Sequence, residues 1–357
     1  MAANVTVETI IAFSKAVIMQ YRQKCRTSVL ALSPEDKMYT PKAGITRVRE
    51  VNASGAGDYT GVYENVGGGS SVTYKDYKAT VDRFKQFIID YLDEVASYTE
   101  GATPSIVALA DDFINRYLAS EIDAFAIASI VAAIPEGNVF TNTTLKTDKD
   151  GVWNTLLDIQ GKCFDAGVDS DVEVFVFVRN EIFQNMQKYI LEKNGLANNA
   201  MLRNRTVIVD LGVEEIAEPL SITTNVIQFN NLTIIPMAND RMNTEIELYD
   251  GTTEGQTEGG WAPSAESKKV DIVAVPAGAG FVDTRYQVLN YLVPAISAEA
   301  QEIDAGVNRT INKVLGDVII ENIGVNQKAN AYELDCRFVY NAELFDARKS
   351  ACFAVTA

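Results

Sequence analysis

The chain has 357 residues, of which 47% are hydrophobic and 22% charged, with a net charge of −17 and no histidine. This composition is typical of a folded globular protein with more than one subdomain. The absence of histidine excludes histidine general bases, Ser-His-Asp and Cys-His catalysis and histidine-ligated metals, and the acidic balance argues against a general nucleic-acid binder.

The four cysteines are scattered along the chain without a CxxC pair. Free cysteine is among the most buried residue types, so we predict buried thiols in a reducing compartment rather than a zinc ribbon or a disulfide framework. Residues 1–19 lack a basic n-region, and Lys15 interrupts their apolar part, so no signal peptide is expected. We expect neither a metal nor another cofactor.

The first fifty residues differ in charge from the rest. They contain eight basic and four acidic residues, a balance of +4 that leaves −21 for the remainder. Within them, residues 9–26 have helical spacing and predict an amphipathic helix, with a stripe of Ile10, Phe13, Val17 and Tyr21. Such a helix must pack on its own body or on a partner. The basic charge fits docking onto a neighbouring copy, and ordinary solvated charge explains it equally well.

Residues 37–82 predict an extended hairpin with little apolar content and therefore no core of its own. Its tip holds Gly55 and Gly57, and residues 67–69 form a second glycine cluster. The third glycine of a dinucleotide motif is missing here, and it is missing again after Gly278 and Gly280, where position 283 is aspartate. We therefore interpret both stretches as loops rather than phosphate sites.

A long helix is predicted over residues 104–134. Thr103 can cap it, Pro104 suits the first helical position, and Pro135 stops it. About thirty residues give a rod of roughly 45 Å. Charged residues interrupt the apolar run too often for a membrane span. The apolar residues that recur at helical spacing are Ile106, Leu109, Ala110, Phe113, Ile114, Tyr117, Leu118, Ile122, Phe125, Ile130 and Ile134.

The second half of the chain predicts an α/β subdomain after a polar linker at residues 138–150. Helices are predicted at 152–166 and 181–194, strands at 172–178, 207–209, 231–236 and 270–276, and a mobile loop at 250–267. Two further strands, at 314–323 and 332–340, are predicted near the C-terminus.

Three stretches together resemble the major capsid proteins of tailed bacteriophages, the Hong Kong 97-type fold. The first is an extended segment with Asp82-Arg83, Phe87, Ile89-Asp90 and Asp93; the second is Glu121-Ile122-Asp123-Ala124 in the long helix; the third is the closing stretch RFVYNAELFDARKSACFAV, residues 337–355. The resemblance implies an α+β fold with an N-terminal arm (1–36), an extended loop or E-loop (37–82), a P-domain (83–150) with spine helix 104–134, an A-domain (151–309) and a return to the P-domain (310–357).

The resemblance also implies a function. Such a protein would self-assemble into hexamers and pentamers that form an icosahedral shell around double-stranded DNA, without binding a DNA sequence or a membrane. The expected partners are other copies, a separate scaffolding protein, a portal and a decoration protein, and the expected location is the virion capsid, assembled in the host cytoplasm. The residues expected to contact neighbouring subunits are Arg22, Lys24, Arg26, Arg47, Arg49, Gly55 and Gly57.

Three alternatives stay open. An encapsulin-type nanocompartment shell shares the fold and is not separable by sequence pattern. A carboxylate-based hydrolase would use acid pairs such as Asp111-Asp112, Glu214-Glu215 or Asp93-Glu94, but 48 acidic residues make such pairs expected by chance, and no spacing selects two of them. A tail or adhesion protein would favour internal repeats, and none is visible.

Overall fold

The computed structural model describes residues 24–31, 37–40, 45–52, 71–93, 105–145, 147–194, 202–209, 220–252, 258–296, 313–315 and 318–357. In these residues the chain has the mixed α+β architecture that the sequence predicts, with two large and two small sheets, four α-helices, three 3₁₀ turns and one π turn.

One long helical rod lies at the centre of the structure. It consists of α1 (Ser105–Phe113), a π-helical turn (Ile114–Leu118) and α2 (Ala119–Ala133). The predicted spine helix is thus confirmed in its extent, but it is not a uniform α-helix. The predicted cap at Thr103 and Pro104 lies outside the described residues.

The π turn separates two halves that are buried differently. In α1 a single stripe is buried, with Ile106 and Ala110 each 1% exposed while Leu109 is 47% exposed. In α2 nearly every residue is buried, including the charged Glu121 and Asp123. A π turn adds one residue to the helical turn and so rotates the following segment. Because of this rotation, the first half of the rod lies on the sheet with one face, whereas the second half is buried on most sides.

The rod lies against a six-stranded sheet. The central strand β17 (Ala331–Leu344) pairs antiparallel with β4 (Val81–Asp90) on one side and β13 (Gly280–Pro294) on the other. Beyond β13 lie β15 (Val318–Ile320) and then β14 (Lys313–Leu315), and β16 (Ile323–Asn326) pairs in parallel with the end of β13. Among the described strands, β4 forms one edge of this sheet.

A seven-stranded sheet lies on the other side of the rod. Its strands run in the order β5 (Val139–Thr141), β18 (Phe353–Thr356), β12 (Val270–Pro276), β6 (Val174–Arg179), β9 (Leu232–Met237), β8 (Leu220–Phe229) and β7 (Leu202–Val209). Helices α3 (Lys149–Asp165) and α4 (Asn180–Asn194) pack on one face, and the other face joins the core around the rod. Because both faces are covered, β6 and β12 are apolar almost throughout.

Two smaller strand groups complete the described part. β1 (Lys37–Thr40), β2 (Ile45–Asn52) and β3 (Ser71–Lys78) form an antiparallel sheet, which is the predicted hairpin with one added strand. β10 (Ile246–Tyr249) pairs with β11 (Gly260–Pro263). Among the helices described, none has the length and apolar character needed to cross a membrane.

Several sequence predictions need correction. The linker predicted at 138–150 contains β5, the loop predicted at 250–267 contains β11, and the strand predicted at 314–323 is divided into three short strands. Pro236 was expected to close its strand, but β9 continues to Met237. The hairpin strands end at Lys78, and Asp82 already belongs to β4.

Two strands connect segments that the predicted domain ranges separate. β13, within the range assigned to the A-domain, is the neighbour of β17 in the six-stranded sheet. β18, within the range assigned to the P-domain return, pairs with β12 in the seven-stranded sheet. The chain therefore crosses between the two sheets more often than the linear ranges suggest.

The glycines after β12 serve chain packing. Gly278 has φ +72° in a tight turn, which favours glycine, and the chain continues directly into β13. A Cβ on Gly280 would lie 2.6 Å from the carbonyl oxygen of Glu343. A dinucleotide motif needs a helix after the glycines, so this strand–turn–strand arrangement supports the rejection of a nucleotide site here.

Candidate assembly elements

Two of the three motif stretches of the resemblance meet in an ion pair between β4 and α2. Arg83 donates two hydrogen bonds to Glu121, Nε to Oε1 at 2.7 Å and Nη2 to Oε2 at 2.9 Å. The hydroxyl of Tyr340 on β17 donates to the same carboxylate. Arg83 also donates to the carbonyl oxygens of Tyr249 and Gly260 in the β10–β11 pair. One guanidinium thus joins the sheet, the rod and the β10–β11 hairpin.

The electrostatics of this cluster follow from its burial. The hydrogen bonds to Glu121 raise the pKa of Arg83. Desolvation, and then the nearby Glu121 charge, raise the pKa of Tyr340 well above its usual range. Arg83 therefore stays charged and Tyr340 stays protonated at neutral pH, and the hydrogen bonds of the cluster fix its geometry.

Asp123, fully buried on α2, holds the described end of the N-terminal segment. Its Oδ1 accepts from the backbone N–H (3.0 Å) and the hydroxyl (2.8 Å) of Thr27, and its Oδ2 accepts from the backbone N–H of Arg26 (3.1 Å) and from Arg241 Nη1 (2.8 Å). The carboxylate thus caps the 3₁₀ turn Arg26–Leu30 from a distant part of the chain. Cys25 packs beside it, fully buried, with its Sγ 3.5 Å from the carbonyl oxygen of Ala119.

The base of the β2–β3 hairpin is held on β13 by a buried polar cluster. The Thr46 hydroxyl donates to Asp283, and Arg285 donates to Thr46 and to the carbonyl oxygen of Ile45. Desolvation lowers the pKa of Arg285, and the Asp283 charge opposes that effect. Buried charged contacts cost desolvation energy, but they accept only one geometry, so they fix the base of the hairpin on β13.

An aromatic cluster supports the same root. Tyr77 of β3 packs edge-on against Phe281 of β13 at 5.1 Å between centroids, and Phe345 packs on both rings. Val48 is 1% exposed in this cluster. The prediction that the hairpin has no core is therefore wrong at its base, where it shares a small core with β13. Residues 53–70, which include both glycine clusters, lie outside the described residues.

The structure describes four of the seven residues expected at subunit contacts. Lys24, Arg47 and Arg49 are exposed, whereas Arg26 is partly buried next to Asp123, and desolvation lowers its pKa. Arg47 is paired across the hairpin with Asp76 through bonds of 2.6 and 2.8 Å. Arg22, Gly55 and Gly57 lie outside the described residues. The described four therefore do not form one cluster: two lie on the hairpin, and two lie where the N-terminal segment meets the rod.

Sequence reasoning singled out Asp123 only as a motif residue, without its contacts, and it missed the other residues that hold these elements in place: Arg241, Asp283, Arg285 and Thr46. The sequence nevertheless contains an indication of these contacts. Glu121 and Asp123 interrupt an otherwise apolar helix, and Asp283, Arg285 and Gln287 alternate with Val282, Tyr286 and Val288. Charges on an element that is otherwise buried require partners, so both patterns point to internal ion pairs.

Several side chains of types that enzymes use are held in structural contacts where the chain is described. The cysteines are buried and free, as predicted, and desolvation raises the thiol pKa of Cys163, Cys336 and Cys352 to about 12. Asp112 pairs with Arg116 one turn along the helix surface. Buried Asp271 pairs with buried Arg179 at 2.5 Å. Within the part of the chain that the structure describes, no three or more metal-binding side chains lie together.

No protein-family model matches the chain, and no curated protein does. The chain is similar to solved shell structures. The capsid of cyanophage P-SCSP1u is 8% identical with a TM-score of 0.46, and the match covers 92% of this chain and 85% of that one. The mature capsid of bacteriophage PhiM1 is 11% identical (TM-score 0.41; 89% and 83% covered). The SrpI encapsulin of Synechococcus elongatus is 10% identical (TM-score 0.42; 89% and 83% covered). TM-scores and identities this low carry no information about function by themselves.

Proposed function

We propose that the chain is the major capsid protein of a tailed bacteriophage, which self-assembles into hexamers and pentamers of an icosahedral shell around double-stranded DNA. The observation that carries this proposal is the β2–β3 hairpin, whose described strands are held on β13 by Thr46, Asp283 and Arg285 and by a small shared aromatic core. Since residues 37–82 have little apolar content in the sequence, such a hairpin gains stability when it lies on a neighbour.

The contacts around the rod support the same proposal. The motif residues Arg83 and Glu121, through which the sequence resembles this family, bind each other and tie the sheet to the rod. Asp123 of the same stretch holds the root of the N-terminal segment. A folded body that carries a basic N-terminal segment and a hairpin poor in apolar residues is the form expected of a subunit that interlocks with copies of itself.

Within this proposal the finer assignments follow the family. Residues 1–36 form the arm, 37–82 the extended loop, 83–150 the P-domain and 151–309 the A-domain, and residues 310–357 return to the P-domain. Two strands cross these limits, because β13 pairs with β17 and β18 pairs with β12. A separate scaffolding protein, a portal and a decoration protein are the further partners, and assembly takes place in the host cytoplasm. The proposal gives the chain no catalytic role.

Electron microscopy and light scattering of the purified, concentrated protein test the proposal. We expect closed shells or ring-shaped capsomers. A compact monomer at all salt and protein concentrations would refute it. The nucleic-acid content of shells isolated from producing cells separates the main alternative, because an encapsulin-type shell would enclose protein cargo in place of double-stranded DNA.

A further inference from the structure

The described strands of the β2–β3 hairpin contact the body of the subunit on β13 and also on a second segment. On β13, the hydroxyl of Thr46 donates to buried Asp283 and accepts from buried Arg285. The second segment is the connection between β17 and β18, residues 345–352, which we call the C-terminal turn. The contacts on β13 are buried, whereas those on the C-terminal turn are partly in solvent, and this difference indicates different roles for the two.

The C-terminal turn lies where the chain passes between the two large sheets. It leads from β17 of the six-stranded sheet into β18 of the seven-stranded sheet, and the turn at 277–279 makes the opposite crossing, from β12 into β13. The two crossings bind each other. The backbone N–H of Phe345 donates to the carbonyl oxygen of Ala279 at 2.9 Å, and Arg348 Nη1 donates to that of Gly278 at 3.0 Å. A hairpin held on the C-terminal turn is therefore held on the junction of the two sheets.

Two side chains of β3 hold the hairpin on this turn. Alternation along the strand places Tyr77 and Lys75 on the same face. The buried ring of Tyr77 packs edge-on against Phe345, with 6.3 Å between centroids. Two residues further towards the tip, or roughly 7 Å along the strand, Lys75 Nζ lies 3.1 Å from Asp346 Oδ2, and these two side chains are 45% and 73% exposed. The contact nearer the base is thus aromatic and buried, and the outer contact is an ion pair in solvent.

The outer contact can open while the subunit stays folded. Asp346 also accepts from Lys349 Nζ within the turn, at 3.1 Å. The hydrogen bonds from Lys75 and Lys349 lower the pKa of Asp346, so its carboxylate is ionised at neutral pH. Exposed ion pairs contribute little to the free energy of unfolding, and salt screens them. Loss of the Lys75–Asp346 pair therefore leaves the buried cluster around Thr46 in place and releases only the outer support of the hairpin.

We propose that the Lys75–Asp346 pair is a latch that sets the angle of the hairpin to the junction of the two sheets, with the buried cluster around Thr46 as the pivot. The closed latch fixes one angle. When salt or the loss of the Asp346 charge opens the latch, the hairpin turns about the pivot with its own strand pairing intact. The inference goes beyond the proposed function and does not depend on it, because the latch and the pivot lie within one subunit.

Pulsed electron paramagnetic resonance between two spin labels on the full-length chain tests the proposal. One label is attached to Tyr74→Cys, next to the latch on β3, and the other to Leu157→Cys on α3; the two native side chains are 57% and 47% exposed. The four native cysteines are buried and react slowly with the label. Dilution with unlabelled protein restricts the measured distances to one chain. We expect one narrow distance distribution at low salt and a broader one at high salt.

Asp346→Asn opens the latch without changing the size of the side chain. In the doubly labelled protein, the population outside the main distance should rise about two- to fivefold, which is the change in an equilibrium constant that an exposed ion pair supports. High salt should then broaden the distribution no further. Asp346→Glu should restore the narrow distribution, because it keeps the charge. Thermal melting should change little, since the cluster around Thr46 stays buried.

Two matched controls separate the latch from general loosening. Asp76→Asn breaks the pair with Arg47, which is exposed but lies within the hairpin, and Lys349→Met breaks the pair inside the C-terminal turn. Both variants leave Lys75 bound to Asp346 and should keep the narrow distribution. Equal widths for Asp346→Asn and its parent, or equal broadening by Asp76→Asn, would overturn the inference. Salt broadening that persists unchanged in Asp346→Asn would overturn it too. These outcomes leave the proposed function standing, because none of them measures assembly.

Discussion

The ion pair between Arg83 and Glu121 should be a large contributor to subunit stability, and removal of one partner tests this. Both side chains are largely buried, 19% and 8% exposed, and Glu121 accepts two bonds from Arg83 and one from Tyr340. Glu121→Ala leaves the guanidinium without its counter-charge and the Tyr340 hydroxyl without its acceptor. Breaking a buried pair in this way costs about 3–5 kcal/mol. That is a substantial part of the roughly 5–15 kcal/mol that stabilises a typical domain.

Urea unfolding of dispersed subunits measures the effect. Tyr340→Phe, which removes one hydrogen bond and leaves the ion pair, should cost about 1 kcal/mol. The double variant Arg83→Met with Glu121→Leu should recover most of the loss, because no buried charge stays unpaired. Asp112→Ala is the control, since its pair with Arg116 is exposed and such helix-surface pairs contribute less than about 0.5 kcal/mol. A Glu121→Ala loss no larger than that of Asp112→Ala would contradict the reasoning.

Three further predictions concern the rod, the hairpin and the thiols. Ile130 is fully buried in α2, so Ile130→Pro should lower stability by roughly 3 kcal/mol or more and prevent assembly; wild-type melting would show that the rod is not continuous there. Limited trypsinolysis should cut the hairpin at Lys42, Arg49 or Lys78 before the rod in dispersed subunits and slowly in shells, whereas equal rates would mean that the hairpin does not contact a neighbour. Burial raises the pKa of the thiols of Cys163, Cys336 and Cys352 to about 12 in the folded state. The contribution of these thiols to the free energy of unfolding is therefore complete below their unfolded pKa, near 9, and is lost as the pH rises towards 12. Cys163→Ala should make the decline in the free energy of unfolding at alkaline pH shallower. An unchanged slope would show that the Cys163 thiol does not contribute to this decline.

The elements predicted best are those whose pattern is local. The rod and α3 were located within a few residues, because an apolar stripe at helical spacing and a terminating proline or turn suffice to define a helix. β13 was missed, although Val282, Tyr286 and Val288 alternate with Asp283, Arg285 and Gln287. Its polar residues are buried by the hairpin root and by β17, and such burial depends on chain segments far away in the sequence. β5 was missed because three residues are too few to show a period.

The candidate contacts were predicted less completely than the fold. The resemblance selected Arg83, Glu121 and Asp123 as members of motifs, but it did not say that Arg83 binds Glu121 or that Asp123 caps the turn at Arg26. It also grouped Arg26 with Lys24 as residues for a neighbour, whereas Arg26 lies against its own rod. Charge and spacing identify a basic segment, but the point at which that segment leaves the subunit is set by tertiary contacts.

The strand order of the six-stranded sheet has a consequence for the timing of folding. Val81 pairs with Tyr340 and Asp90 with Ala331, so β4 stays without its partner while the ribosome adds most of the intervening chain. Pairings this distant in sequence fold slowly, since the loop must close before the contacts compensate for its entropy. A nascent chain consequently lacks a completed sheet on which the base of the hairpin can pack, because β13 pairs with β17, which is synthesised later. On the proposed function, a partly synthesised subunit would lack the hairpin base that assembly requires, and for the same period its open strand edges are exposed to aggregation.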